Sequence, residues 1–283
     1  SGLDMFSALN HSFTTLSTGG FSTFDTSVSS FSNSTKLILC LFMFIAGTSF
    51  TLHYKSRRNL KEYLYSSEFK FFTFIVFFAA SIFYIFLNTS GKDSITSIIE
   101  SLFTSLAIIT TTGYSSSNFE LWPGGLKILI LGLMFVGGMS GSTGGGIKVV
   151  RVVALLKTVR NELKKLIFPK AIFKVRMSKS AMTEQSLESV QTFFILYITV
   201  FGIGSVLLGL TSYFGGISLS IETILSSVAS ALNNIGPALD QAGPFDTYFF
   251  FDNYSKILLA FIMLVGRLEL FPIAILFNAK TWK

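Results

Sequence analysis

Along the chain, apolar runs close to membrane-span length alternate with shorter stretches in which apolar residues recur every three or four positions. Each shorter stretch ends in a polar segment that carries glycine. The runs at 35–53, 69–88, 189–212 and 254–277 come near the roughly 20 residues a helix needs to cross a bilayer. A further run, 125–156, is longer and is interrupted by glycines at its middle. The pattern predicts an all-α membrane protein.

The shorter stretches form a repeat. "FSALNHSFTTLSTGGFST", "ITSIIESLFTSLAIITTTGYSS" and "LSIETILSSVASALNNIGPALD" share one plan: an amphipathic half helix, then a polar strand with glycine, then a span. Alignment on Gly20, Gly113 and Gly236 gives spacings of 93 and 123 residues, and a long basic segment accounts for the excess. The expected units are 1–68, 69–188 and 189–283.

Composition supports the membrane reading, since half of the residues are apolar, 13% are charged and 32 are Phe. Charge then sets the orientation. Most of the 22 basic residues fall in 55–70, in 148–179 and at Lys280 and Lys283, which places those ends on the cytoplasmic side. The opposite ends hold four basic residues against nine acidic ones, an excess that concentrates cations at an outer mouth. This asymmetry is a topology signal, so the positive net charge calls for no nucleic acid. Cys40 is the single cysteine, so a disulfide framework is ruled out and a free thiol packed in a helix is expected. No leader with a charged start and a cleavage site is visible, and the chain opens on a segment that looks internal, as a truncated N-terminus would.

A polar strand at membrane depth is tolerated only where it is buried in protein or lines a watery cavity, so three strands in corresponding places should meet around one axis. A half helix entering from outside ends in carbonyls whose partial negative charge favours a cation near mid-membrane. The strand after it can replace an ion's water with backbone oxygens, and glycine permits the φ angles that turn those oxygens inward. "TTTGYSS", residues 110–116, therefore reads as a filter strand to which Thr110, Thr111 and Thr112 can add hydroxyls. Any one strand alone could be a polar loop at a helix end; three in register make the filter reading stronger. Asn233, Asn234 and Pro237 break the chemical likeness of the third strand, so the ring should be pseudosymmetric.

"TTLSTGGFST", "TTTGYSS", "NNIGPAL", "GGMSGSTGGGIKVVR" and "GRLELFPIAILF" together resemble the Trk/Ktr/HKT superfamily of potassium transporters, and within it the TrkH type of pore subunit, over essentially the whole chain. The resemblance implies a pseudo-fourfold, K+ channel-like fold of span, pore helix, span repeats with re-entrant filter loops. It implies K+ as the transported ion with no organic cofactor, a homodimer in the cell membrane with one pore per protomer, and a cytoplasmic RCK-type nucleotide-binding subunit, TrkA-like, as partner. By this likeness the filter comprises Thr18, Gly19, Gly20 and Phe21 in the second repeat, Thr111, Thr112, Gly113 and Tyr114 in the third, and Asn234, Ile235, Gly236 and Pro237 in the fourth. The chain departs from the family plan in lacking the first repeat and the opening span of the second. The remaining wall of the pore would come from upstream of Ser1 or from elsewhere. A Na+-coupled or Na+-permeant member of the same superfamily is the alternative within transport.

Residues 137–148 place six glycines and three hydroxyl residues inside a span, where each glycine costs a helix roughly 1 kcal/mol relative to alanine. The segment should be unwound and mobile. The resemblance implies a gate below the filter made of Gly138, Ser140, Gly141, Ser142, Thr143, Gly144, Gly145, Gly146 and Lys148. Close helix packing is the plainer use of glycine but accounts for only a few of them. Arg267 is the one cation deep in the last expected span, where a charge costs at least ~2.5 kcal/mol unless it faces the interior and is paired. It is expected to hydrogen bond the glycine loop, hold the gate and oppose cations, with snorkelling to the headgroups as the alternative. Glu269, two residues on, should lie on another helix face. The basic stretch 157–179 suits anionic lipid or the regulatory ring.

Enzymatic readings fare worse. "GSTGGGIK" lacks the Gly-Lys-Ser/Thr ending of a phosphate loop and follows an apolar helix rather than a strand. "GMSG" around Ser140 matches the nucleophile motif of rhomboid-like intramembrane proteases, but His11 and His53 both lie upstream, where that motif's base does not. One cysteine and two distant histidines make a poor metal set.

Overall fold

In the computed structural model, which describes residues 2–171, 173–178 and 180–276, three short helices, each followed by a strand that carries glycine, pack among the other helices of a bundle. The short ones are α1 (Met5–Leu16), α6 (Ser94–Ile109) and α10 (Ile221–Asn233). Each starts on a side-chain cap that satisfies otherwise orphaned amides. Asp4 accepts from the Ser7 amide at 3.1 Å, Asp93 from Ile95 and Thr96 at 3.2 and 3.3 Å, and Ser220 from Thr223 at 3.0 Å.

The other helices are α2 (Asn33–Gly47), α3 (Phe50–Ser56), α4 (Lys61–Tyr65), α5 (Ser67–Thr89), α7 (Gly124–Met134), α8 (Val149–Ile167), α9 (Glu184–Phe214), α11 (Asn253–Arg267) and α12 (Leu270–Leu276). A two-residue hairpin, β1 (Arg176–Met177) with β2 (Ser180–Ala181), is the single departure from all-α structure among the described residues. The fold is an all-α membrane fold. Phe72, Val76 and Phe83 of α5 are buried against its neighbours, while Phe74, Phe77 and Phe78 are exposed, the one-sided pattern of a helix whose other face meets lipid.

Packing follows the repeat. Each short helix lies along the spans of its own unit: α1 on α2, α6 on α5 and α7, and α10 on α9 and α11. The units interlock, because α2 also packs on α6, and α7 on α10. Leu39 and Met43 of α2, Phe72 and Phe83 of α5 and Phe103 of α6 share one buried cluster, so the core is continuous across the boundary expected at 68.

Several spans differ from expectation. The first is not continuous over 35–53: α2 and α3 meet at 95° across Thr48 and Ser49. The break is compensated by residues 137–148, whose Met139 amide donates to the Gly47 carbonyl at 2.9 Å and whose Gly141 carbonyl accepts from Phe50 at 3.0 Å. The last span bends by 110° between α11 and α12, where Glu269 takes a left-handed φ of 64°. Arg267 therefore closes α11 instead of lying inside a continuous span, and Glu269 is outside any helix, joined to Arg151 of α8 at 3.2 Å. The span expected at 189–212 extends over Glu184–Phe214. The broken run is helical to Met134, irregular over 135–148 and helical again to Ile167. The expected end of the last span at 277 and the charges of Lys179, Lys280 and Lys283 fall outside the described residues.

Candidate ion pathway

Three strands follow the three short helices and repeat one backbone pattern. Thr18, Thr111 and Asn234 have φ of 52°, 58° and 55°, and two residues later Gly20, Gly113 and Gly236 have φ of 67°, 81° and 115°. Asn tolerates the left-handed region; a β-branched Thr does so at a cost of about 1–2 kcal/mol, a strain that persists only where the surroundings impose it.

The strand amides are drawn back to the short helices. Gly19 and Gly20 both donate to the Thr14 carbonyl, at 2.7 and 3.3 Å, and Thr112 and Gly113 both donate to Ala107, at 2.9 and 3.0 Å. In the third strand Ile235 donates to the Ser230 carbonyl and Gly236 to the Ser230 hydroxyl, each at 3.0 Å. One position near the end of each short helix thus holds both amides of its strand. The amide donors of each strand are consumed by its own short helix.

Neighbouring strands approach closely. A Cβ built on Gly20 would lie 1.7 Å from the Thr112 carbonyl oxygen, and one on Gly113 would lie 1.7 Å from that of Ile235. Pro237 closes on Gly113 from the same side, its Cδ 3.1 Å from that imagined Cβ. The Gly236 position has no described atom within 4 Å. Phe21 and Tyr114 occupy equivalent places with opposite exposure: Phe21 is exposed, whereas Tyr114 is buried with its hydroxyl 2.6 Å from that of Thr14 and 3.2 Å from that of Thr15.

Residues 137–148 lie directly beneath the strands and touch all three short-helix ends. The Thr143 hydroxyl donates to the Leu16 carbonyl at 3.1 Å, and the Gly145 amide donates to the Thr111 hydroxyl at 2.6 Å, which turns that hydroxyl toward the loop. A Cβ on Gly144 would stand 2.8 Å from the Thr110 carbonyl oxygen, and one on Gly145 2.3 Å from that of Asn233. Glycine is required at 144 and 145 by these approaches, and Gly137 and Gly146 are left-handed and pack on each other.

Cations surround the loop on the side away from the strands. Arg267 Nη1 donates to the Thr143 carbonyl at 3.3 Å, and Lys148, which precedes α8 with φ of 77°, places Nζ on the Gly144 carbonyl. Both lie along a cavity of about 290 Å³ with Arg151, Glu269 and Ser142. Arg151 is held by Glu269 and by the Phe193 ring, whose centroid is 3.8 Å from its guanidinium carbon. Gly138 packs against Ser142 and the Gly47 carbonyl.

Sequence reasoning missed three supports of this arrangement. The Ser140 amide donates to the Glu68 carboxylate at 2.6 Å, tying the loop to the start of α5. The Tyr197 hydroxyl donates to Asn233 Oδ1 at 2.7 Å, and Asn233 Nδ2 donates to the Ala229 carbonyl at 2.7 Å, which fixes the end of α10. The Tyr114 hydroxyl reaches α1. All three pairs are remote in sequence, and no local pattern joins their partners. On the outer side Lys127 of α7 bridges Glu120 and Glu222, each at 3.2 Å.

A protease dyad does not assemble. His53 engages the Tyr63 hydroxyl at 2.7 Å and the Ile45 carbonyl at 2.9 Å, and Ser140 stands beside Glu68. Among the described residues no three His, Cys, Asp or Glu side chains group as metal ligands.

The family model described as "TrkH: Cation transport protein" matches residues 2–283. The chain is 33% identical over 287 residues to the Trk system potassium uptake protein TrkH of Escherichia coli (strain K12), a match covering 100% of this chain and 58% of that relative. It is 34% identical over 288 residues to the TrkH of Halomonas elongata and 30% identical over 287 residues to the TrkG of Escherichia coli (strain K12). The crystal structure of the potassium transporter TrkH from Vibrio parahaemolyticus superposes with a TM-score of 0.90 at 33% identity, over 100% of this chain and 60% of that one. The chain spans less than two thirds of the length of these relatives.

Proposed function

The chain belongs to the TrkH family of cation transport proteins, a multi-pass membrane family of transporters rather than enzymes, and from that premise we propose that it supplies most of a K+ uptake pathway. Its carbonyls at residues 18–21, 111–114 and 234–237 would replace the hydration shell of K+, and the loop 137–148 would close the path beneath them. The observation that carries this reading is the threefold recurrence of the left-handed pair, Thr18 with Gly20, Thr111 with Gly113 and Asn234 with Gly236, each with its amides tied back to a short helix. That recurrence supports a shared axis better than any single strand does.

The loop fits a gate for two reasons. Its glycines give it low helical stability, and Met139 and Ile147 anchor its two ends in the core while the stretch 141–146 between them carries no buried apolar side chain, so that stretch can move without unpacking a core. Arg267 and Lys148 act on the loop's carbonyls and hold positive charge in the path of an entering cation. The units 1–68, 69–188 and 189–283 each contribute one strand. A homodimer, a TrkA-like RCK nucleotide-binding subunit and anionic lipid along the basic stretch 157–179 are the partners this reading takes on.

K+ uptake by K+-limited cells tests it, with Na+ as competitor. Gly113→Ser should lower the preference for K+ over Na+ while the protein still reaches the membrane. An unchanged preference would remove the filter assignment, and Na+ transport equal to that of K+ in the parent protein would favour a Na+-permeant relative.

A further inference from the structure

The loop 137–148 has one side chain in common to its two ends. Glu68, in the first turn of α5, accepts from the Ser140 amide at 2.6 Å, and the same carboxylate accepts from the Val150 amide in the first turn of α8. Lys148, between those amides in the chain, attracts it electrostatically. The residues between Ser140 and Val150 include Gly144 and Gly145, which seat on Thr110, Thr111 and Asn233.

α8 depends on that carboxylate. Its N-cap position is Lys148, which makes no side-chain cap, so the orphan amides of the first turn need partners from elsewhere. Val149 donates to the Gly138 carbonyl at 3.0 Å, Arg151 and Val152 donate to the Lys148 carbonyl at 3.0 and 3.3 Å, and Val150 is left to Glu68. The helix dipole favours a negative charge at this end. A carboxylate accepts more than one bond, so Glu68 caps α8 from another helix and still holds the loop.

The two helices joined by this clasp are also fixed to each other. α5 packs on α8, and the hairpin β1–β2 bridges them. Ser67 of α5 and Ser178 between the two strands exchange bonds, each hydroxyl accepting from the other's amide, at 3.0 and 3.1 Å, while Lys157 of α8 donates to the Arg176 carbonyl at 2.7 Å. The frame is therefore braced, and the stretch 141–146 is what remains free to move within it.

We propose that Glu68 is a positioning residue of the gate, a clasp that fixes both roots of the stretch 141–146 and so keeps the loop seated beneath the filter strands. The inference rests on the gate reading above. Glu68 does not line the cavity of about 290 Å³ beneath the loop; it lines a separate one of about 400 Å³ with Ser49, Met139 and Ser178. Its loss should alter closure and leave ion preference as it was.

The experiment is K+ leak from loaded vesicles that hold the full-length protein, read beside K+ over Na+ preference in competitive uptake. Glu68→Ala should raise resting leak by about tenfold or more, the ratio a hydrogen bond to a charged group can supply, with the preference unchanged. Glu68→Gln keeps one oxygen that accepts an amide and should leak less than Glu68→Ala. If the alanine variant does not reach the membrane, a rise of about threefold in Glu68→Gln carries the same test. Leak at the parent's level in whichever variant reaches the membrane, or preference lost in step with leak, would overturn the proposal. Removal of 141–146 separates the two levels: if it opens the path while the Glu68 variants stay closed, the gate stands and this inference falls, and if it leaves leak at the parent's level, the gate reading itself falls.

Discussion

Gly20 and the Thr112 carbonyl oxygen are so close that a single methyl group on the glycine would sit 1.7 Å from that oxygen. No rotamer relieves such a contact, since both partners are backbone. The left-handed φ of 67° at Gly20 adds a further cost of about 1–2 kcal/mol for any side chain. Gly20→Ala should therefore displace the neighbouring strand and reduce K+ over Na+ preference by about tenfold or more, measured by ion competition in uptake, while an unchanged ratio would separate this contact from selectivity.

Removal of 141–146 should leave the path open. The segment supplies the Gly145 amide bond to Thr111 and the Thr143 bond to Leu16, and its residues 142–146 line the cavity beneath. Constitutive K+ leak from loaded vesicles is the expected readout. Gly145→Ala should leak partially, because its Cβ would stand 2.3 Å from the Asn233 carbonyl oxygen when the loop is in place.

Arg267→Gln removes a charge-assisted bond to the Thr143 carbonyl and one positive charge from the path. Resting leak should rise by roughly threefold to tenfold, the ratio a bond of about 1 kcal/mol supplies. Equal leak in parent and variant would assign the arginine to lipid headgroups.

Tyr197→Phe leaves Asn233 Oδ1 buried without its 2.7 Å donor. Loss of about 1–3 kcal/mol of stability is expected. A lowered Tm in detergent, with selectivity falling in parallel because Asn233 precedes the third strand, would report it.

Acid should act on the outer loop through Asp240. The Ser220 hydroxyl, then the Thr223 hydroxyl at 2.8 Å, hold its carboxyl below the ordinary carboxylate value. A lowered folded-state pKa contributes stability that is present above the unfolded value near 4 and is lost as pH falls through the folded one. Thermal melts should show destabilisation below about pH 4 that is weaker in Asp240→Asn.

Much of this was legible in the chain itself. The half helices and their glycine strands announced themselves by spacing, and Asp4, Asp93 and Ser220 stand where caps should. The bends were not legible. Gly47, Thr48 and Ser49 sit in an apolar run whose local preference is a straight helix, and the break is made favourable by Met139 and Gly141, which arrive from ninety residues away. Arg267 and Glu269 looked like two faces of one helix. They are the two sides of a turn, where Glu269 takes a left-handed φ and pairs with Arg151 of α8. Likewise the Glu68 contact to Ser140 and the Tyr114 contact to α1 depend on tertiary placement that periodicity does not encode.

The seating of Gly144 and Gly145 on Thr110, Thr111 and Asn233 has a genetic corollary. On the proposed reading, the loop that would hold the pathway shut rests on Thr111 of the filter and on Thr110 and Asn233 directly before two of its strands, so closure and ion preference would be coupled. A screen for leaky alleles should recover substitutions at 110, 111 and 233 alongside those in the loop, and compensatory second-site changes should cross from one group to the other.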